Sequence, residues 1–347
     1  MKKWSSLLMV AICSLGTLVG GNISHAAETS PAQDIPFTAT AKLPENQVNK
    51  SVSYFDLNVQ PNQEQTVHID VTNTSNKPIT LDTSLFGGKT NINGVIQYDR
   101  SNKKELSKAK ATSIEDQATI NERELHLSPN QSVDLPILVH MSSKKQTGIM
   151  IGAVRLLQKN EGSTKGNITN NFAREIGLVL ESSDPNKLPS QLEMTKAKAS
   201  QVNVRNSVIE SIKNDQSKLM NLKNVQATVT KYGSDKVLYK QKQNDVSIAP
   251  NTTMNYPISL NGQEFKPGKY TATFKGKEGT HTWRLSKTFT VKADESNHLN
   301  ATDVIIKNKP SFFSQYKLFI FIATALILVI IGLLWYLKNL KSKLIKK

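Results

Sequence analysis

The run TNINGVIQYDR, Thr90 to Arg100, holds the side chains best suited to recognition chemistry. Asn91, Asn93, Tyr98 and Asp99 combine amide donors and acceptors, a carboxylate and a flat aromatic face. Such groups hydrogen-bond to and stack on a sugar or a peptide. These four form the candidate ligand-binding set. Asn93-Gly94 is also a strong turn signal, so turn formation is the competing account of both asparagines.

Nothing comparable exists for catalysis. His68, His126 and His140 alternate with apolar neighbours, which puts them on the solvent side of strands. There is no His-x-His or HExxH spacing for zinc, no GxSxG, no P-loop and no dinucleotide fingerprint. Acids are plentiful, yet none forms an evident acid/base couple. The expectation is a protein that is not an enzyme, with no catalytic residue, no cofactor and no metal.

The elements that must carry the candidate loop are short strands. In YFDLNVQPNQEQTVHIDVTN, Tyr54 to Asn73, the residues Val67, Ile69 and Val71 share one face and His68 and Asp70 the other. Pro61-Asn62 reads as the turn before them. Turn signals recur at Gly87-Gly88, Ser128-Pro129-Asn130, Ala249-Pro250-Asn251 and Pro267-Gly268, with alternating runs between. Long amphipathic helices are absent, and one short helix is expected at Ser113 to Ala118, with Ser113 and Asp116 as reciprocal caps. The fold class is therefore all-β: two tandem immunoglobulin-like β-sandwich domains plus one C-terminal transmembrane helix. Pro267-Gly268-Lys269-Tyr270 resembles the corner tyrosine of such sandwiches, and Trp283 is expected in the second core. No internal repeat is evident.

Both ends of the chain carry topological signals. Residues 1–26 read as a signal peptide: Lys2 and Lys3, an apolar run from Leu7 to Val19, and small residues at Ser24 to Ala26. Its removal takes away Cys13, the single cysteine, and with it any disulfide or thiolate chemistry. Residues 318–337 contain no charge and at about 1.5 Å per residue reach roughly 30 Å, one bilayer crossing. The tail 338–347, KNLKSKLIKK, carries five lysines and reads as cytoplasmic by the positive-inside rule. No LPxTG motif precedes the span. The bulk of the chain is thus expected outside the cell membrane, which excludes nucleic acid as a partner.

Between the ends, the polar stretch Ser182 to Ser190, with two prolines, divides residues 28–182 from 191–293. A second polar stretch, Gln158 to Asn171, is an alternative border, but a long hairpin loop is the simpler reading of the two runs that flank it. Residues 294–317 read as a tether. Residues 28–182 hold 16 basic and 17 acidic side chains, net −1, and residues 191–293 hold 17 and 7, net +10. A basic second domain near the membrane suits anionic lipid heads, teichoic polymers or acidic proteins, or is simply a solvated surface.

Taken together, YFDLNVQPNQEQTVHIDVTNTSNKPIT, TNINGVIQYD and TGIMIGAVRL resemble the first domain of the WxL-interacting protein family of Gram-positive bacteria. REIGLVLESS, VNVRN, the run from Leu222 to Leu260 and FKPGKYTATF resemble its second domain. The resemblance implies a first domain that binds peptidoglycan, a second that binds a host or partner protein, and cooperation with secreted WxL-domain surface proteins. It implies no catalytic motif and carries over no binding residue. The expected function is a membrane-anchored surface adaptor that holds peptidoglycan through the first domain and a WxL protein or host extracellular-matrix protein through the second. The alternative is an extracytoplasmic chaperone for secreted surface proteins, since sandwich domains can lend a strand to a client. A wall hydrolase is the third reading, without a visible site.

Overall fold

Alternation builds the sheets. The computed structural model describes residues 35–101, 103–104, 106, 112–159, 171–307 and 312–344, the last helix by backbone alone at 312–315 and 336–344. The expected signal peptide lies outside these residues, as do the centre of the Gln158 to Asn171 stretch and the last three residues of the tail. In chain order the strands are β1 (Phe37–Lys42), β2 (Phe55–Asn58), β3 (Glu64–Asn73), β4 (Ile79–Gly87), β5 (Lys89–Thr90), β6 (Ile96–Gln97), β7 (Ala118–Thr119), β8 (Glu124–Leu127), β9 (Ser132–His140), β10 (Ile149–Lys159) and β11 (Ala173–Glu181). Then follow β12 (Leu192–Val202), β13 (Arg205–Asn214), β14 (Met220–Lys231), β15 (Val237–Ile248), β16 (Thr253–Ser259), β17 (Gly268–Glu278) and β18 (His281–Val291).

In the first sandwich, the sheet β1-β3-β9-β7 faces the sheet β2-β11-β10-β4-β8. Val67, Ile69 and Val71 of β3 are fully buried against Leu81, Leu135, Ile137, Leu156 and Leu180. Each such side chain removed from water contributes about 1.5–3 kcal/mol before the cost of ordering the chain. Asn62 supplies the turn before β3 with a φ of 59°, and His68 and His126 lie outward, beside Asp134 and Glu124. Ser113 and Asp116 form the reciprocal capping pair around a single 3-10 turn, Ile114–Asp116.

The second sandwich repeats this plan without counterparts of β2 and β7: β12-β13-β16 facing β15-β14-β17-β18. Its core joins Ile212, Leu222, Val229, Tyr256, Ala272 and Phe274, with Tyr256 edge-on to Phe274 at 5.7 Å. The Tyr270 hydroxyl donates to the Lys266 carbonyl at 2.7 Å, the corner expected of this fold. Trp283 departs from expectation. It is half-buried at the core margin, with Nε1 3.3 Å from Glu278 Oε2 and its ring against His281. Its strand runs to the sheet edge, where a large ring finds cover on one side only.

The seven shared strands correspond one to one, and several of their connections do too. SPNQSVDLPI (128–137) and APNTTMNYPI (249–258) occupy the same place, entering β9 and β16 through asparagines with φ of 57° and 54°. Asn73 and Asn214 close β3 and β13 identically, their backbone N–H groups donating to Gln131 and Thr252 at 2.9 Å. Two connections of the first sandwich carry added strands: residues 43–63 between β1 and β3, with β2 where the second sandwich has only residues 203–204, and residues 88–123 between β4 and β8. The second sandwich has only the short turn between β14 and β15 there.

The polar segment after β18 forms α1 (Ala293–Thr302) and α2 (Val304–Lys307), joined to the sandwich by Asn300 and Asp303. The last helix, α3 (Phe312–Leu344), includes Tyr316–Trp335, unburied and long and apolar enough to cross a membrane.

Candidate functional site

The inserted segment carries the candidate loop. β5 and β6 pair as a hairpin, Lys89 opposite Gln97. Asn91 makes its turn: the side-chain Oδ1 accepts the N–H groups of Asn93 (2.9 Å) and Val95 (3.2 Å). Gly94, at φ +67°, completes it. The hairpin then reaches the second sandwich. Thr90 Oγ1 donates to the Ser247 carbonyl (3.1 Å) and accepts the Ala249 N–H (2.9 Å). The Gly94 carbonyl accepts the Ser247 N–H at 2.8 Å, and the Asn93 carbonyl accepts Gln243 Nε2 at 2.5 Å. A second clamp joins Ile149 N–H to the Ser217 carbonyl at 2.8 Å, beside Gly148, where a Cβ would meet that carbonyl oxygen at 2.0 Å. Two separate clamps fix the orientation of the two domains.

Gly94 serves both the turn and the contact, since a Cβ there would stand 2.9 Å from Val246. Gly94→Ala should cost about 1–2 kcal/mol through the positive φ and this clash. Limited proteolysis should then cut within residues 91–97, where the parent protein should resist.

The four candidate residues divide between two places. Asn91 faces a cleft of about 830 Å³ between the insertion and the outer face of β12-β13-β16. Asn93 sits on a second, smaller cleft of about 450 Å³, with Gln243 and Tyr256. Tyr98 and Asp99 lie at the hairpin's root. Burial, aided by Glu175 and Tyr54, pushes the Tyr98 phenol up to about 12, so it stays a neutral donor. Burial opposes ionisation of Asp99, but the Gln97 amide (2.5 Å) and the Lys89 ammonium (3.3 Å) outweigh it and hold its carboxyl below the usual range.

The larger cleft shows what local spacing missed. Lys89, Arg100, Lys104 and Lys213 line it, with Gln97, Thr253 and Asn255 between them, and no carboxylate is among its described lining residues. Lys89 is 4% exposed, its charge met by Asp99, and Lys213 has Asp215 at 3.5 Å. Such a cleft can hold anionic oxygens and amides; its described lining residues include no nucleophile with an adjacent base. Among the described residues no group of three His, Cys, Asp or Glu converges to hold a metal ion.

Two clamped β-sandwiches with a polar cleft between them define a tandem-domain binding protein. Residues 37–158 match the family described as WxL Interacting Protein, peptidoglycan binding domain, and residues 163–301 match WxL Interacting Protein, host binding domain. The chain belongs to the WxL-interacting protein family. The second match starts before β11, whose backbone partners are β10 and β2 of the first sandwich. No curated protein matches the chain. Similar solved structures include the YadV chaperone (10% identity, 74% of this chain and 100% of that one, TM-score 0.29). Others are the E. coli chaperone DraB (14%, 74% and 97%, 0.27) and the CsuC-CsuE chaperone-tip adhesion subunit complex of Acinetobacter baumannii (8%, 66% and 93%, 0.33).

Proposed function

We propose that this protein is a single-pass surface adaptor that holds peptidoglycan through its first domain and a WxL protein or host matrix protein through its second. The observation that carries the reading is the ordered pair of family matches over 37–158 and 163–301. α3 supplies the membrane span and the lysines of 338–347 keep its end in the cytoplasm, so both sandwiches face the wall. The pairing of β11 with β10 and β2 supports a physical border within Ser182 to Ser190, giving domains 28–182 and 191–293.

The cationic cleft, where the insertion of the first domain meets the outer face of the second sandwich, is the wall-contacting site. Peptidoglycan stem peptides present carboxylates and amides, which Arg100 and Lys213 would hold beside Asn91 and Asn255. Asn93, Tyr98 and Asp99 keep the hairpin in position for that contact. Binding is non-covalent and needs no cofactor.

Co-sedimentation with purified sacculi, stripped of teichoic acid and unstripped, tests this. The full chain should pellet with both preparations. Arg100→Gln and Lys213→Gln should each weaken pelleting about tenfold, the loss of one charge-assisted bond. Failure to pellet with stripped sacculi would remove peptidoglycan as the ligand. Unchanged pelleting by both variants would move the site out of the cleft.

A further inference from the structure

Among the described residues, six of the thirteen exposed large apolar side chains that precede α3 gather at one end of the second sandwich: Val204, Tyr232, Val237, Leu238, Val304 and Ile305. Their neighbourhood follows from the backbone. The Tyr232 N–H donates to the Lys269 carbonyl at 3.0 Å, which puts the tip of the β14–β15 hairpin beside the start of β17. Gly268 pairs with Val291, so the end of β18 and the start of α1 lie there too. The Val304 N–H donates to the Val204 carbonyl at 3.1 Å, and Ile305 lies over Gly262. Leu238 and Ile306 line one groove of about 540 Å³ with Lys231 and Lys266.

This end also carries Lys231, Lys236, Lys266 and Lys269, with Arg205 and Lys292 beside them, against Asp235, Glu264, Asp303 and the first-turn acids Asp294 and Glu295 of α1. Lys269 Nζ stands 3.9 Å above the centre of the Tyr232 ring. Amphipathic rings and long lysine stems are the side chains that rest at a bilayer surface, apolar parts inward and charges against headgroups.

The same end leads into the spanning helix. Five residue steps separate Lys307 from Phe312, so the link spans at most ~18 Å. Helix from Phe312 to Tyr316 adds about 6 Å. Lys307, at this end of the sandwich, is therefore held within ~25 Å of the hydrocarbon boundary, of which the headgroup layer itself occupies roughly 5–8 Å. A tether this short makes even weak surface affinity effective.

We propose that this end of the second sandwich docks on the headgroup layer of the membrane the chain spans. Tyr232, Leu238 and Ile305 enter the interface, and the lysines meet lipid phosphates. The docked domain then stands in a fixed orientation and presents the cleft to the wall. The proposal rests on the membrane-anchored reading above.

The test uses the full chain carrying Cys13→Ser and one introduced thiol, Asp235→Cys at the hairpin tip or Gln60→Cys in the first sandwich, each labelled with an environment-sensitive dye. Reconstitution is into phosphatidylcholine vesicles with or without phosphatidylglycerol. Protein that does not float with vesicles would overturn the anchoring reading itself. In floated protein, the dye at 235 should shift to the blue and be quenched by spin-labelled lipid several-fold more than the dye at 60. Tyr232→Ser with Leu238→Ser should abolish that difference, and omission of phosphatidylglycerol should reduce it. Solvent-like emission at both positions would overturn docking, as would quenching at 235 unaffected by the double substitution. Quenching unaffected by lipid charge would overturn the part given to the lysines.

Discussion

The protein should lose stability between pH 4.5 and pH 8, and Glu210→Gln should flatten that loss. Glu210 lies on the core face of β13, between Val208 and Ile212, fully buried. Neither carboxyl oxygen has a hydrogen-bond partner. Burial pushes its carboxyl up to about 8, since moving a charge out of water without a partner is costly. The sign follows from comparing the folded and unfolded states. Below pH 4.5 both are protonated and Glu210 contributes no pH dependence. As pH rises from 4.5 to 8 the unfolded chain ionises while the native one does not, so stability falls. At about 1.4 kcal/mol per pH unit the penalty is on the order of 3 kcal/mol at pH 7, and it levels off above pH 8. Glutamine keeps the shape and cannot ionise. Its unpaired amide carries a constant cost, so the slope of stability against pH is the informative readout. Urea melts at pH 4, 6 and 8 should show parent and variant diverging steadily in favour of the variant. Parallel curves would mean that Glu210 is ionised in the folded protein.

The strand framework was legible because burial on one face imposes a period of two. Val67, Ile69 and Val71 reveal their face from types alone, and the corner of Tyr270 and the cap of Ser113 are local too. What escaped is non-local. Lys89, Arg100 and Lys213 share a cleft although the last lies more than a hundred residues from the others, and no spacing rule registers that. The helix α1 escaped for another reason. It docks through polar contacts of Asn300 and Asp303, so it shows no apolar stripe. Turn formation by Asn91 and Asn93 is a local matter, but contact of that turn with another domain is not. Glu210 sits in an apolar period where a charged residue reads as a break in the pattern, and only the fold reveals it as core.

The strand plan that the two sandwiches share makes a second strong expectation. SPNQSVDLPI and APNTTMNYPI agree at four of ten positions, too few to declare a repeat. The fold supplies the reason for the residues that persist. Asn73 Nδ2 lies within hydrogen-bond distance of the carbonyls of Lys77, Leu127 and Ser128, at 2.8–3.1 Å, and Oδ1 accepts the Ser75 N–H. Asn214 does the same with Lys218, Ile248 and Ala249, at 2.9–3.3 Å, and with the Gln216 N–H. Both asparagines are fully buried. Each satisfies backbone groups from two connections at once, the turn after its own strand and the turn before β9 or β16. Alanine leaves those carbonyls unpaired where water is excluded, and each orphaned group costs about 1–3 kcal/mol. Asn73→Ala and Asn214→Ala should therefore each cost roughly 2–4 kcal/mol, measured by urea denaturation. The two sites lie in different cores, so the double variant should lose the sum within about 0.5 kcal/mol. A clear shortfall would mean that loss of one knot already releases the interdomain clamps, because Asn214 holds the Ile248–Ala249 segment that receives Thr90 of the hairpin. In that outcome Gly94→Ala should mimic the coupling without touching either asparagine.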